Sequence, residues 1–225
     1  MAELLPLFPL PNVVLFPNVF LPLHIFEPRY REMVVDAVSS DRMIGMALLR
    51  PGWEHDYEGH PPVYPIGCSG VITHFDRLSD GRFNIVLRGL ERFRIVEEDY
   101  SRSYRRASVE VLRDEPATHE DLPVISGYRS RLESLIHAEA ERGNSLKHLH
   151  AAHGDEARAI DVKIPSAMSD EDLVNALAQY LDLEPLEKQA LLEKHGLRLR
   201  AESLVELLEM KILMSRTPQA SHVAH

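Results

Sequence analysis

One stretch restricts the fold more than any other: "GCSGVITHFDRLSDGRFNIVLRGLERFRIVEED", residues 67–99. Ser79, Asp80 and Gly81 fall between two runs of alternating character, and an Asp-Gly pair supplies the positive φ of a tight hairpin turn. After the turn, Phe83, Ile85 and Leu87 alternate with Arg82, Asn84, Val86 and Arg88. A period of two predicts a strand with one dry face and one wet face. Arg88-Gly89-Leu90 predicts either a second sharp reversal or a bulge.

The rest of the first half carries similar punctuation. "VVLFP" and "VFLPLHIF" are β-branched and aromatic runs broken by proline, which suits edge strands and bulges. "RMIGMALL" (42–49) predicts a buried strand, and "YRRASVEVLRDE" a last strand before a break at Pro116. Between them "RPGWEHDYEGHPPVYP" is too rich in Pro, Gly and charge for regular structure and predicts a surface loop with some role. Residues 4–26 contain no Asp, Glu, Lys or Arg, as a membrane span would, but Pro6, Pro9, Pro11, Pro17 and Pro22 interrupt them. Each proline removes a backbone donor and disrupts a helix, and a span needs about 20 helical residues. No membrane segment or signal peptide is expected.

"PLHIFEPRYREM" (22–33) starts with a strand's character and ends with a helix's. Tyr30, Met33, Val34, Ala37 and Val38 recur at helical spacing. Pro28 suits the first helical position, Glu27 puts a carboxylate at the positive end of the helix dipole, and Pro28 keeps Glu27 extended. The cluster is strand-to-helix punctuation.

After Pro116 the period becomes helical. Ile125, Tyr128, Leu132, Leu135 and Ile136 form one stripe, ending before Gly143. Ser169 predicts a helix cap, with Asp170, Glu171 and Asp172 in the first turn. Leu173, Ala176, Leu177, Tyr180 and Leu181 form that helix's stripe. "EPLEKQALLEKHG" and "LRAESLVELLEMKILMSR" predict two more helices. The expected organisation is a β-rich unit over 1–115, a helical unit over 116–216, and a disordered tail over 217–225.

The chain has 225 residues and a formal net charge of −10, which disfavours non-specific binding to nucleic acid or anionic lipid. One cysteine, Cys68, excludes an intramolecular disulfide and a cysteine-based zinc site, and fits a reducing cytoplasm. Among small neighbours it reads as a packed small hydrophobe. His148, His150 and His153 invite a metal, but no Asp or Glu stands at clear ligand spacing, and a solvated loop explains them. Ser166 near Lys163 resembles a nucleophilic pair, yet no adjacent glycine exposes the hydroxyl, so helix initiation explains it better. Nucleophile-elbow and phosphate-loop motifs are missing. The acidic runs Glu97-Glu98-Asp99 and Asp170-Glu171-Asp172 need only solvation and the helix dipole. No constellation calls for catalysis, a cofactor or a metal. The remaining candidates are surfaces: Trp53, Tyr57 and Tyr64 either pack as a lid on the β-half or stay exposed to grip a partner.

"PLFPLPNVVLFPNVFLPLHIFEPRYREMV", "YPIGCSGVI", "DGRFNIVLRGLERFRI" and "EKQALLE" together resemble the N-terminal substrate-binding domain of Lon proteases, over residues 4 to 212. More narrowly, they resemble stand-alone bacterial proteins made of that domain. The resemblance implies an α+β fold, a PUA-like β pseudo-barrel followed by a C-terminal α-helical bundle. It implies no catalysis, because the ATPase and Ser/Lys peptidase of Lon lie in later domains. It implies unfolded or extended polypeptides as partners, with a protease in trans as a further one. The expected binding surface is an apolar groove between barrel and helices, with Glu27, Arg29 and Arg31 as its polar rim. Proline-interrupted sheet edges suit capture by strand addition. The rival expectation is RNA, which PUA-like shapes bind elsewhere; the acidic balance opposes it, although Arg102, Arg105 and Arg106 could form a local patch.

Overall fold

The computed structural model describes residues 4–57, 59–142 and 167–216. The strands are β1 (Leu5–Leu10), β2 (Phe20–Ile25), β3 (Met43–Leu48), β4 (Ile66–Arg77), β5 (Phe83–Asp99) and β6 (Arg106–Leu112). They form one mixed sheet in the order β2-β5-β4-β3-β1-β6, and β6 also pairs with β5. The ring β5-β4-β3-β1-β6 therefore closes on itself as a barrel, and β2 lies alongside β5 with no second strand beside it among the described residues. β1 and β3 run parallel, Leu7 opposite Gly45 and Leu10 opposite Leu48. A parallel pair needs a crossover, which β2 and the helix α1 (Pro28–Val38) supply.

The β4–β5 hairpin forms where the alternation predicts it. Gly81 has φ 81° and donates its N–H to the Leu78 carbonyl at 3.0 Å, while the Leu78 N–H reaches the Arg82 carbonyl at 2.9 Å. Phe83, Ile85 and Leu87 are buried and Arg88 is exposed. Of the two expectations at Arg88-Gly89-Leu90, the bulge is found. β5 continues through it, and the register moves from Cys68 opposite Arg92 to Gly70 opposite Gly89. Gly89 serves a third neighbour there: its N–H goes to the Val19 carbonyl and its carbonyl accepts from Asn18, both at 2.9 Å.

"VVLFP" forms no strand, contrary to expectation. Val14, Leu15 and Phe16 are buried without a ladder, because the Phe16 N–H donates instead to Gln179 Oε1 at 3.1 Å and Pro17 has no N–H to give. α1 matches its stripe: Tyr30, Met33, Val34 and Ala37 are buried, and Pro28 opens the helix. Glu27 is extended at φ −66° and ψ 135°, but its carboxylate makes no cap bond.

The helices that follow are α2 (Asp121–Glu141), α3 (Asp170–Tyr180), α4 (Pro185–Glu193) and α5 (Leu197–Arg216). The Ser169 hydroxyl accepts the Asp172 N–H at 3.0 Å, as expected of a cap. Glu184 and Glu187 form a capping box on α4, and Gly196 takes φ 82° in the turn to α5. One hydrophobic cluster joins Phe16 and Leu87 of the β-half to Leu132, Leu177 and Leu204 of the helices. Gly127 lies inside α2, and a Cβ added there would meet nothing within 4 Å. Gly127→Ala should therefore raise stability by about 0.5–1 kcal/mol, read as a higher thermal midpoint.

A buried charge network spans the junction of barrel and helices. Arg92 on β5 donates to the carbonyls of Leu192 and Lys194, each at 2.8 Å, where α4 ends. Arg92 also pairs with Asp114. The other Asp114 oxygen takes Arg200 of α5 at 3.0 Å, and the Gly196 N–H donates to Asp114 at 3.0 Å. Arg200 is fully buried and reaches Asn175 Oδ1 at 3.1 Å.

Candidate functional site

Two concave surfaces stand out. The first is a cleft of about 310 Å³ at one end of the barrel. Its floor comes from Pro9 and Leu49, at the C-terminal ends of the parallel strands, and its walls from the start of α1, the loop after β3 and the β5–β6 connection. The sequence places Glu27 and Arg29 in one group and Tyr57 in another; the structure joins them. The Tyr57 hydroxyl donates to Glu27 Oε1 at 2.7 Å, and Arg29 Nε donates to Glu27 Oε2 at 3.1 Å. The Arg29 guanidinium lies 4.7 Å from the Tyr30 ring centre and 5.1 Å from that of Tyr57. Burial and the bond to Glu27 push the Tyr57 phenol up, so it remains a donor at neutral pH.

The other sequence-predicted residues lie elsewhere. Trp53 and Tyr57 pack edge to face, 5.4 Å apart, over a small cluster of Ala47, Leu49 and Val63. Tyr64 packs half-buried against the main core, with Arg50 5.5 Å from its ring centre. Arg31 reaches the β4–β5 turn, where its guanidinium occupies the space a side chain at Gly81 would need. All three rings are thus partly buried against the β-half.

The second surface is a shallow groove of about 700 Å³ between the start of β2 and the outer side of α3. Val19, Phe20, Met168, Ala176 and Tyr180 give it an apolar lining, with Arg88 and Asp172 at its polar margin. Phe20 is 49% exposed and Phe26, just past the other end of β2, 60% exposed. The Tyr180 hydroxyl donates to the Phe20 carbonyl at 2.9 Å, which ties α3 to the first residue of the β2 edge.

The three clustered arginines are not free cations. Arg105 is buried between Glu98, at 3.3 Å, and the Pro61 carbonyl, at 2.6 Å. Arg106 pairs with Asp99 at 2.8 Å, and half-exposed Arg102 stands 3.6 Å from Asp36. Cys68 is fully buried, and burial pushes its thiol up to about 12, which fits a packed hydrophobe. Lys163, Ser166, His148, His150 and His153 lie outside the described residues, as does the 217–225 tail. No helix among the described residues is long and apolar enough to cross a membrane.

Comparison with known proteins bears on the family and the fold. Lon protease 2 of Myxococcus xanthus is 28% identical over 209 residues, which is 93% of this chain and 24% of that protein. The Lon protease of Cytophaga hutchinsonii is 24% identical over 220 residues, 98% of this chain and 26% of that protein. The chain thus spans about a quarter of the length of these curated relatives. Among solved structures, the N-terminal domain of a Mycobacterium avium complex Lon protease superposes with a TM-score of 0.65 at 16% identity, covering 92% of this chain and 98% of that one. A Lon N-terminal domain protein from Xanthomonas campestris gives a TM-score of 0.55 at 20% identity, covering 96% of this chain and all of that one. These likenesses show the α+β fold. The model of the ATP-dependent protease La (LON) substrate-binding domain matches residues 4–210, both concave surfaces included, and the chain belongs to that family.

Proposed function

We propose that this chain is a non-catalytic module that holds unfolded or extended polypeptides along the free edge of β2 and in the groove beside α3. The observation that carries the reading is the juxtaposition of a strand edge, unpaired among the described residues, with an apolar groove at its first residue. A strand laid against β2 would gain main-chain hydrogen bonds, while alternate side chains reach the groove. Pro22 withholds one edge donor, and Tyr180 already occupies the Phe20 carbonyl. Both features blunt edge-to-edge pairing between copies of the chain. β2 runs directly into Glu27 and α1, so Glu27, Arg29 and Arg31 form a polar rim at the far end of the edge. A protease acting in trans fits as the consumer of the bound chain, which would make the module an adaptor. The pairing of Arg105 with Glu98 and of Arg106 with Asp99 speaks against RNA, whose binding rests on unpaired cations.

Fluorescence anisotropy with a labelled, permanently unfolded polypeptide tests this. Phe20→Asp should weaken binding by about tenfold or more, as loss of a central aromatic anchor does, and Arg29→Ala with Arg31→Ala should cause a smaller loss. Unchanged affinity in folded Phe20→Asp would remove the groove from the site. A tight, salt-dependent constant for RNA would instead favour the rival.

A further inference from the structure

The cleft at the barrel end shares no lining residue with the groove beside α3. We propose that it is a binding site for a small, flat, singly charged carboxylate, gripped by Arg29, Arg102 and the Tyr30 phenol. Tyr30 lines the cleft and is only 3% exposed, yet its hydroxyl has no hydrogen-bond partner among the described residues. That oxygen is not one of the sealed, unpartnered polar atoms among the described residues, so it opens on the cleft, where a bound group can supply a partner. Burial pushes this phenol well up, so it offers a proton and not a charge. Of the terminal nitrogens of Arg29, Nη2 pairs with Glu27 at 3.0 Å, while Nη1 reaches only the Tyr57 carbonyl, at 3.4 Å, near the outer limit of a hydrogen bond. Arg102 is half-exposed, with its carboxylate 3.6 Å away.

The surroundings narrow the ligand. Arg29, Arg102 and Arg105 bring three positive charges, and the carboxylates they contact are Glu27, Asp36 and Glu98. Those carboxylates are already engaged: Glu27 takes the Tyr57 hydroxyl and Asp36 takes the Tyr104 hydroxyl, each at 2.7 Å. The frame is close to neutral while its spare groups are donors, which suits a monoanion better than a dianion. A guanidinium fork matches the plane of a carboxylate. Arg29 is already oriented between two rings, so little freedom remains to be lost on binding. Tyr57, Tyr100 and His60 offer flat walls, and about 310 Å³ lies at the small end of ligand sites, room for a single-ring body.

Isothermal titration of the full chain with benzoate is the direct test, with benzamide and inorganic phosphate as comparison ligands. One saturable benzoate site is expected, with benzamide at least about tenfold weaker, the worth of a hydrogen bond to a charged group, and phosphate no tighter than benzoate. Tyr30→Phe keeps the ring and removes the donor; Arg102→Gln alters a half-exposed side chain that the fold does not need. Each should weaken benzoate about tenfold while the thermal midpoint stays near that of the parent. Absence of a saturable benzoate site would overturn the proposal. So would equal affinity for benzamide, tighter binding of phosphate, or unchanged benzoate affinity in both folded variants. Polypeptide binding by the same variants should stay at the parental level, so failure here leaves the groove untouched, and the converse holds too.

Discussion

Asp114→Ala should lower the free energy of unfolding by about 3–5 kcal/mol, the cost of breaking a buried ion pair by removing one partner. The size of the effect follows from what the variant leaves behind. Arg92 is 3% exposed and Arg200 fully buried, and Asp114 is the carboxylate that bonds both. Without it, two guanidinium groups face each other in a poorly solvated junction. Their mutual repulsion is already visible in the parent, where burial and then the neighbouring Arg200 hold Arg92 below its ordinary value. The Gly196 N–H loses its acceptor as well, so the turn between α4 and α5 loosens in the same step. Urea denaturation followed by far-ultraviolet circular dichroism measures the loss; a change below about 1 kcal/mol, the scale of a surface pair, would show that water reaches these arginines.

Gly89→Ala is the second large effect expected. An added Cβ would lie 2.0 Å from the Phe16 carbonyl oxygen and 2.9 Å from its carbonyl carbon. The obstacle is backbone, which cannot rotate aside as a side-chain tip can. That backbone is itself fixed, by the Phe16 N–H bond to Gln179 and by the two Gly89 bonds to Val19 and Asn18. Either the bulge or the 13–19 segment must move, so the cost should reach about 3 kcal/mol, the upper end of overpacking. The same methyl group at Gly127 is expected to act in the opposite direction, so paired urea titrations of the two variants separate crowding from any general effect of losing a glycine.

What was legible in the sequence was local. The Asp80-Gly81 turn, the alternation from Phe83 to Leu87, the Pro28 helix start and the Ser169 cap all depend on neighbours within a few residues, and each stands where expected. The barrel's closure was not legible, because the pairing of Leu5 with Ala107 leaves no periodic trace at either position. "VVLFP" misled for a related reason: its composition suits a strand, but its backbone donor is claimed by Gln179, 163 residues away. The site shows the same division. Glu27 and Arg29 stood out by their place at a strand-to-helix join, and Tyr57 by its aromatic loop. Their bond across 30 residues required the fold. Tyr30 read as core alone, and the opening of its hydroxyl on the cleft has no signature in a helical stripe. Asp114, Arg92 and Arg200 were missed because each looks like a solvated charge until three distant segments meet.

The insertion of β1 between β3 and β6 has a consequence for how the chain acquires its shape. β4 and β5 adjoin in sequence, so their hairpin can form early and cheaply. β1 finds its two neighbours about 40 and 100 residues downstream, and such late, distant closures slow folding. On a ribosome, β1 emerges before both of its neighbours and would wait longest for its full set of partners. Until then its apolar face, Leu7 with Phe93 and Ala107, stays open, an aggregation hazard for as long as the closure is delayed.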